Sequence, residues 1–324
     1  MPKQRYAIEI LNFSVLEHST TPPRTPKSAE AIDSPINLPE IAIENHKVVY
    51  DIQPLISHIK ELFNGPRLSL NLSSGVRYAP LQRFHLAFHH LFSGERPTTI
   101  HEVKLLNYTM FVREMENAVQ RSGKFLMSCT EFVELPITDK WFLFRKFTSH
   151  VMCLVRCFAT MEFFGYDLED SRIMHSMSTC MDAFNFDYDS SQIPPETAKT
   201  LRDVFRPFCK KLFYSVLVPL RQYQITKFEV CYVLALILWN TDDMEGLSDE
   251  TQEVADRFMS EAASELHHHY KYEMKIENYA ERLTKLAKIC NALEKMGAQR
   301  QEIFALIDIF NMFSCDLFTP EYFF

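Results

Sequence analysis

Apolar residues recur at steps of three and four along most of this chain, the spacing of helices with one buried face. The first such stripe begins after Asp51, with Ile56, Ile59, Leu62 and Phe63 in phase and Pro54 in a first turn where its missing amide costs nothing. The segment NGPRLSLNLSSG interrupts it, a second helix is predicted from about Pro80 to Phe92, and SGERP closes that one. A long helix is then expected to open on the capping box Thr99-Ile100-His101-Glu102 and to run to about Ser128. Its stripe Tyr108, Phe111, Met115, Ala118, Ser122, Leu126 mixes aromatic, thioether and small side chains, a composition that suits a core face or a cavity wall.

The stretch FVELPITDKWFLFRKF, residues 132–147, sets charge directly against a long apolar run. Pro136 cannot continue a preceding helix, Thr138 is expected to cap the next one, and Asp139 suits the positive end of its dipole. From Thr138 to Phe164 nearly every position is apolar or small, and Gly165 supplies a stop. Such a helix belongs in the middle of a helical domain with neighbours on several sides.

Residues 166–193 are polar-interrupted, with room for a small β-hairpin and short helices. Pro194-Pro195 opens a helix reaching about Val218, and a further one carries FEVCYVLALILW. Ser248 is the expected cap of a helix with Val254, Phe258, Ala262 and Leu266 in phase. Leu283, Leu286, Ile289 and Leu293 then form the stripe of a last long helix extending towards Phe313. The first 45 residues, rich in Pro, Ser and Thr, read as a disordered or linker segment.

Composition narrows the class. Only 7 of 324 residues are glycine against 27 phenylalanines, which disfavours tight-turn β architectures and phosphate-cradling loops. The apolar runs are too short to span a bilayer, so no membrane segment is expected. Eight scattered cysteines without a Cys-x-x-Cys pair suggest free buried thiols in a reducing compartment. A net charge of -8 argues against a broad nucleic-acid surface.

Individual residues carry weaker chemistry. His267, His268 and His269 point in three directions around a helix and make a poor metal site, and Cys153 and Cys157, one turn apart in an apolar helix, suit inert thiols. Arg156, inside MCLVRCF, keeps its charge and must reach a carboxylate, water or a ligand.

The segment FVELPITDKWFL resembles the ligand-binding-domain motif of nuclear hormone receptors, with Phe132, Leu135, Asp139, Lys140 and Leu143 in register. LSDETQEVADRF, YAERLTKLAKICNALEKM and ALIDIFNMF are similar to the later helices of the nematode-type, supplementary receptor branch, and the resemblance covers roughly residues 80–324. It implies an all-α, three-layer antiparallel helical sandwich over residues 50–324, acting on transcription in the nucleus, with a cytoplasmic presence left open, without catalysis, cofactor or metal. The implied ligand is a lipophilic small molecule, in a pocket lined by Phe111, Met115, Val119, Met152, Val155 and Arg156. The implied partners are coregulator proteins and a second receptor in a homo- or heterodimer. In the family the charges at the start of the central helix face a groove that takes a coregulator helix. Arg145 and Lys124 are its basic candidates here, and Glu321 in FTPEYFF the acidic one. The paired cysteines of the family's DNA-binding zinc domain do not occur in this sequence, so no direct DNA contact is expected from it. An alternative reading is a ligand-independent pseudo-receptor with a filled core, acting as a dimerisation or interaction module.

Overall fold

In the computed structural model, residues 41–44, 47–70, 76–92, 99–191, 193–241, 244–309 and 313–315 are described. The chain enters through an antiparallel strand pair, β1 (Ala42–Glu44) and β2 (Lys47–Tyr50), followed by α1 (Gln53–Asn64) and α2 (Pro80–Ala87). Two short strands, β3 (His101–Glu102) and β4 (Leu105–Leu106), precede α3 (Tyr108–Leu126), α4 (Thr130–Val133) and α5 (Ile137–Phe164). Three strands follow, β5 (Arg172–Met174), β6 (Thr179–Asp182) and β7 (Asp187–Tyr188). The remainder is helical: α6 (Pro195–Leu212), a π-helical turn at Phe213–Leu217, α7 (Val218–Gln222), α8 (Lys227–Trp239), α9 (Asp249–His268) and α10 (Ala280–Ile309). A last strand, β8 (Phe313–Cys315), runs parallel to β2.

The expected all-helical sandwich is present, with α5 at its centre. That helix packs against α1 and α3, against α8 and α10, and against β5. Its buried side chains include Phe144, Phe147, Leu154 and Phe158, spread around the helix as its nearly uniform apolar sequence requires. It stops where Gly165 takes φ +79°, a conformation that favours glycine.

Four local expectations differ from the structure. The helix expected from Thr99 starts at Tyr108, capped by Asn107, whose side chain accepts from the Met110 amide. The His101 and Val103 amides instead donate to the Ser178 and Cys180 carbonyls, so pairing with distant strands overrides the local capping box. The central helix begins at Ile137, and Thr138 does not cap it: its hydroxyl donates to Asp139. Residues 166–193 hold a hairpin of β5 and β6 with β7 after it, and no helix among those described. The helix expected to reach Val218 is α-helical only to Leu212, where the π turn widens it.

The stripe on α10 is an inward face, with Leu286, Ile289 and Leu293 buried and Leu283 and Lys288 exposed. Seven cysteines, those at 129, 153, 157, 180, 209, 231 and 290, are buried free thiols. Burial pushes the Cys209 thiol up to about 12 and Cys157 well above its ordinary value, so both stay protonated near neutrality. None of the described helices is long and apolar enough to cross a membrane.

Candidate functional site

The charges that open α5 are structural. Asp139 and Lys140 are 3% and 7% exposed, which corrects the expectation that they face a solvent groove. The Asp139 carboxylate accepts from the Ser248 hydroxyl at 2.6 Å, the Thr251 hydroxyl at 2.6 Å and the Ser248 amide at 3.2 Å, at the N-terminus of α9. Burial raises its pKa, but these hydrogen bonds outweigh burial and hold the carboxyl below its ordinary value. The Lys140 ammonium donates to the Phe63 carbonyl at the end of α1, 3.2 Å away. Phe63 in turn meets Phe132 and Phe144 edge-on, at 5.5 and 5.0 Å. The motif therefore ties α1, α5 and α9 together, and its exposed positions mix Glu134 and Thr138 with the apolar Ile137 and Phe142, which are 44% and 40% exposed; Arg145, one turn after Phe142, is half-buried.

A cavity lies between α3, α5 and the β5–β6 turn. Of the sequence-predicted pocket residues, Met115, Met152, Val155 and Arg156 line it. Phe111 and Val119 do not: Val119 is buried elsewhere in the core, and the Phe111 ring sits 6.4 Å from His175 and 6.3 Å from Phe205. The wall is mostly apolar, yet the room open to a water-sized occupant is about 40 Å³, against roughly 150 Å³ for a cavity that holds benzene. Four of its residues, Met115, Met152, Met174 and Met177, are methionines, whose rotatable thioethers let a wall adapt.

Six polar side chains line this space, and three of them, Arg156, His175 and Ser122, do not also line the groove outside it. Arg156 donates from Nε to the Met174 carbonyl at 2.7 Å, which orients its guanidinium, and it makes no ion pair among the described residues. His175 is 5% exposed, and burial, with the Arg156 charge nearby, lowers its pKa to about 3, so the ring is neutral. Its Nε2 and the Ser122 hydroxyl are buried with no hydrogen-bond partner among the described residues. Sequence reasoning placed Ser122 on the right face of α3 but not as a polar group, and it missed His175, which has no periodic signal because it lies in a hairpin.

Outside the cavity is a polar groove of about 250 Å³, bounded by Asn117, Gln120, Lys124 and Ser178. Glu114, Arg121, Ser176 and Met177 border both spaces. Glu114 and Arg121 pair at 3.5 Å between them. Lys124, expected beside Arg145, lines this groove, and Arg145 does not. Glu321 lies outside the described residues.

The fold and site define a class: a helical sandwich with an adaptable apolar cavity beneath a β-turn. The model of the ligand-binding domain of nuclear hormone receptors matches residues 97–310, and the chain belongs to that family. Among its relatives, nuclear hormone receptor family member nhr-213 of Caenorhabditis elegans is 23% identical over 278 residues, 86% of this chain and 67% of that protein. Family member nhr-54 of the same organism is 24% identical over 258 residues, 76% of this chain and 60% of that protein. Family member nhr-18 is 29% identical over 157 residues, 48% of this chain and 40% of that protein. The aligned regions thus span about two thirds of these relatives or less.

Proposed function

We propose that the chain is the ligand-responsive domain of a nuclear-receptor-type regulator of transcription, acting in the nucleus without catalysis of its own. A lipophilic small molecule enters the cavity beneath the β5–β6 turn and shifts the population of surface states through its differential affinity for them. Coregulator proteins dock an amphipathic helix where Ile137 and Phe142 are exposed beside Arg145, with Glu321 as the second clamp. A second receptor pairs along the outward face of α10 near Lys288. The observation that carries the reading is an apolar cavity with the oriented guanidinium of Arg156 in its wall. Native mass spectrometry of protein from a eukaryotic host tests it: the expected result is a co-purifying lipophilic molecule that is absent from Met115→Trp. A Met115→Trp protein that is severely destabilised instead would indicate a packed core.

The small open volume supports a second reading, the ligand-independent interaction module. In that case no small molecule co-purifies, and coregulator binding is the same with and without Met115→Trp.

A further inference from the structure

Three lysines of the sequence, Lys227, Lys271 and Lys275, are followed two positions later by an acidic residue, in each case a glutamate. The spacing is useful to a partner only where the chain can be drawn out, because an extended backbone sends alternate residues to opposite sides. In the first, TKFE, Glu229 is fully buried and paired with Arg282, and Lys227 lies half-buried on α8. In the second, YKYE, Tyr270 is fully buried, and the His269 ring holds Glu273 at 2.6 Å within a π-helical turn, His269–Glu273, that continues α9. The third, MKIE at residues 274–277, lies outside regular structure in the connection to α10.

Lys275 and Glu277 are both exposed, and neither side chain makes a hydrogen bond or ion pair among the described residues. Lys275 has φ +55°, the left-handed conformation that helix ends ordinarily give to glycine. A lysine kept in such a position points to use of its side chain. The Ile276 amide donates back to the Tyr270 carbonyl at 2.9 Å, which folds the motif over the end of α9. Drawing the tetrapeptide out breaks that bond and releases Lys275 from its left-handed backbone, so the loss is offset in part by the relief.

We propose that Lys275 is a conjugation site for a small ubiquitin-like modifier, read directly by the conjugating enzyme through Met274, Lys275 and Glu277. The enzyme offers an apolar contact to Met274, half-buried here and freed on extension, and a basic side chain to the Glu277 carboxylate. Between them Lys275 reaches the enzyme's reactive cysteine. Its neutral Nζ attacks the thioester carbonyl that joins the modifier's C-terminal glycine to that cysteine. The new N–C bond forms as the C–S bond breaks, the cysteine leaves as a thiolate, and the proton lost by the nitrogen passes to solvent. The thioester is the co-reactant, and nothing is oxidised or reduced.

The test is conjugation of the full chain in vitro with activating enzyme, conjugating enzyme, modifier and ATP, without a ligase. Yield is read as a gel shift, and the attachment point is located by peptide mass spectrometry. The expected product carries one modifier, on Lys275. Lys275→Arg, which keeps the charge, is expected to abolish it, and Glu277→Gln to lower the yield about tenfold, the loss of one charge-assisted contact. Lys271→Arg is expected to leave the yield unchanged, with circular dichroism confirming the fold of each variant. No conjugation of the unmodified chain, or conjugation that survives Lys275→Arg, would overturn the site. An undiminished yield from Glu277→Gln would overturn its recognition through the motif, and a loss in Lys271→Arg as large as in Lys275→Arg would overturn the choice of the loop over the π turn.

Discussion

The hydroxyl of Ser248 donates to the carboxylate of Asp139 at 2.6 Å, across 109 residues of sequence. From the first turn of α5 this side chain thereby closes the start of α9, which also explains why the carboxylate is buried without a basic partner among the described residues. Replacing it by alanine leaves the Ser248 and Thr251 hydroxyls facing an apolar gap. Asp139→Ala is expected to lower stability by about 2–3 kcal/mol, the range for hydrogen bonds to a charged group. Urea unfolding checks this: the midpoint should fall with an unchanged slope. The effect should also depend on pH. The Asp139 pKa is held below its ordinary value, so its contribution is complete above the ordinary carboxylate range and is lost as pH falls through the folded value. Wild type and variant should therefore converge at acid pH.

Buried neutral histidines predict a second pH response of the whole domain. Burial lowers His85, His90 and His150 to about 4 and His175 to about 3, from an ordinary value of 6.5. Between those values and 6.5 the unfolded chain binds more protons than the folded one, so stability rises with pH across that window and is lost as pH falls through it. Glu265 acts the other way. Burial raises it to about 7 although it accepts the Leu81 and Gln82 amides, so it favours the folded state as pH falls from 7 towards 4.5. Four groups outweigh one, each worth about 1.4 kcal/mol per pH unit at full effect. Thermal melts from pH 7 to pH 4.5 should show a falling midpoint, with a shallower slope in His175→Phe.

Much of this molecule was legible in its sequence because helices advertise themselves locally. The stripe of α10, the Ser248 cap of α9 and the Gly165 stop of α5 are all set by residues within a turn or two of the feature they produce. Tertiary hydrogen bonds were not legible. Thr99-Ile100-His101-Glu102 satisfies the local rules for a helix start, yet the His101 amide finds the Ser178 carbonyl, nearly eighty residues away, and becomes a strand. The same limit applies at the site. Met115, Met152, Val155 and Arg156 follow from periodicity and resemblance, whereas His175 reaches the cavity only because β5 and β6 fold back over α3 and α5.

Gly297 permits a close approach of α10 to His150 on α5. A Cβ there would stand 2.5 Å from His150 Nε2, and the imidazole is held by its Nδ1–H donating to the Lys146 carbonyl, which also accepts from the adjacent Ser149 hydroxyl. Helix propensity alone would make Gly297→Ala stabilising by about 1 kcal/mol. The expected result is destabilisation, because the ring must leave its partner. In a His150→Ala background the same substitution should become neutral or stabilising, so a double-mutant cycle measured by chemical denaturation would show strong coupling between the two sites.

Coregulator docking at the start of α5 is the remaining prediction, and the structure changes its form. With Asp139 and Lys140 buried, the proposed docking face at this end of α5 combines half-buried Arg145 with the exposed Ile137 and Phe142. A basic residue there suits the negative C-terminal end of a docked helix, and the two apolar side chains suit its hydrophobic face. The proposed opposite clamp, Glu321, lies outside the described residues; before it in the chain, β8 ends at Cys315, which pairs with Tyr50, whose hydroxyl donates to Glu116 on α3 at 2.6 Å. With Ile137 and Phe142 as the exposed apolar side chains described at this end of α5, the area a partner helix can bury here is small, and its binding is expected to be weak. Fluorescence polarisation with an LxxLL-type amphipathic peptide checks this on the full chain, on Arg145→Glu, on Glu321→Ala and on a chain ending at Cys315. Arg145→Glu should weaken binding about tenfold, the loss of one charge-assisted contact together with a repulsion. Glu321→Ala and the shortened chain should lose the same smaller factor as each other, because the glutamate is the residue of that segment expected to touch the peptide. Equal affinity of all four proteins would remove this face of α5 from the mechanism.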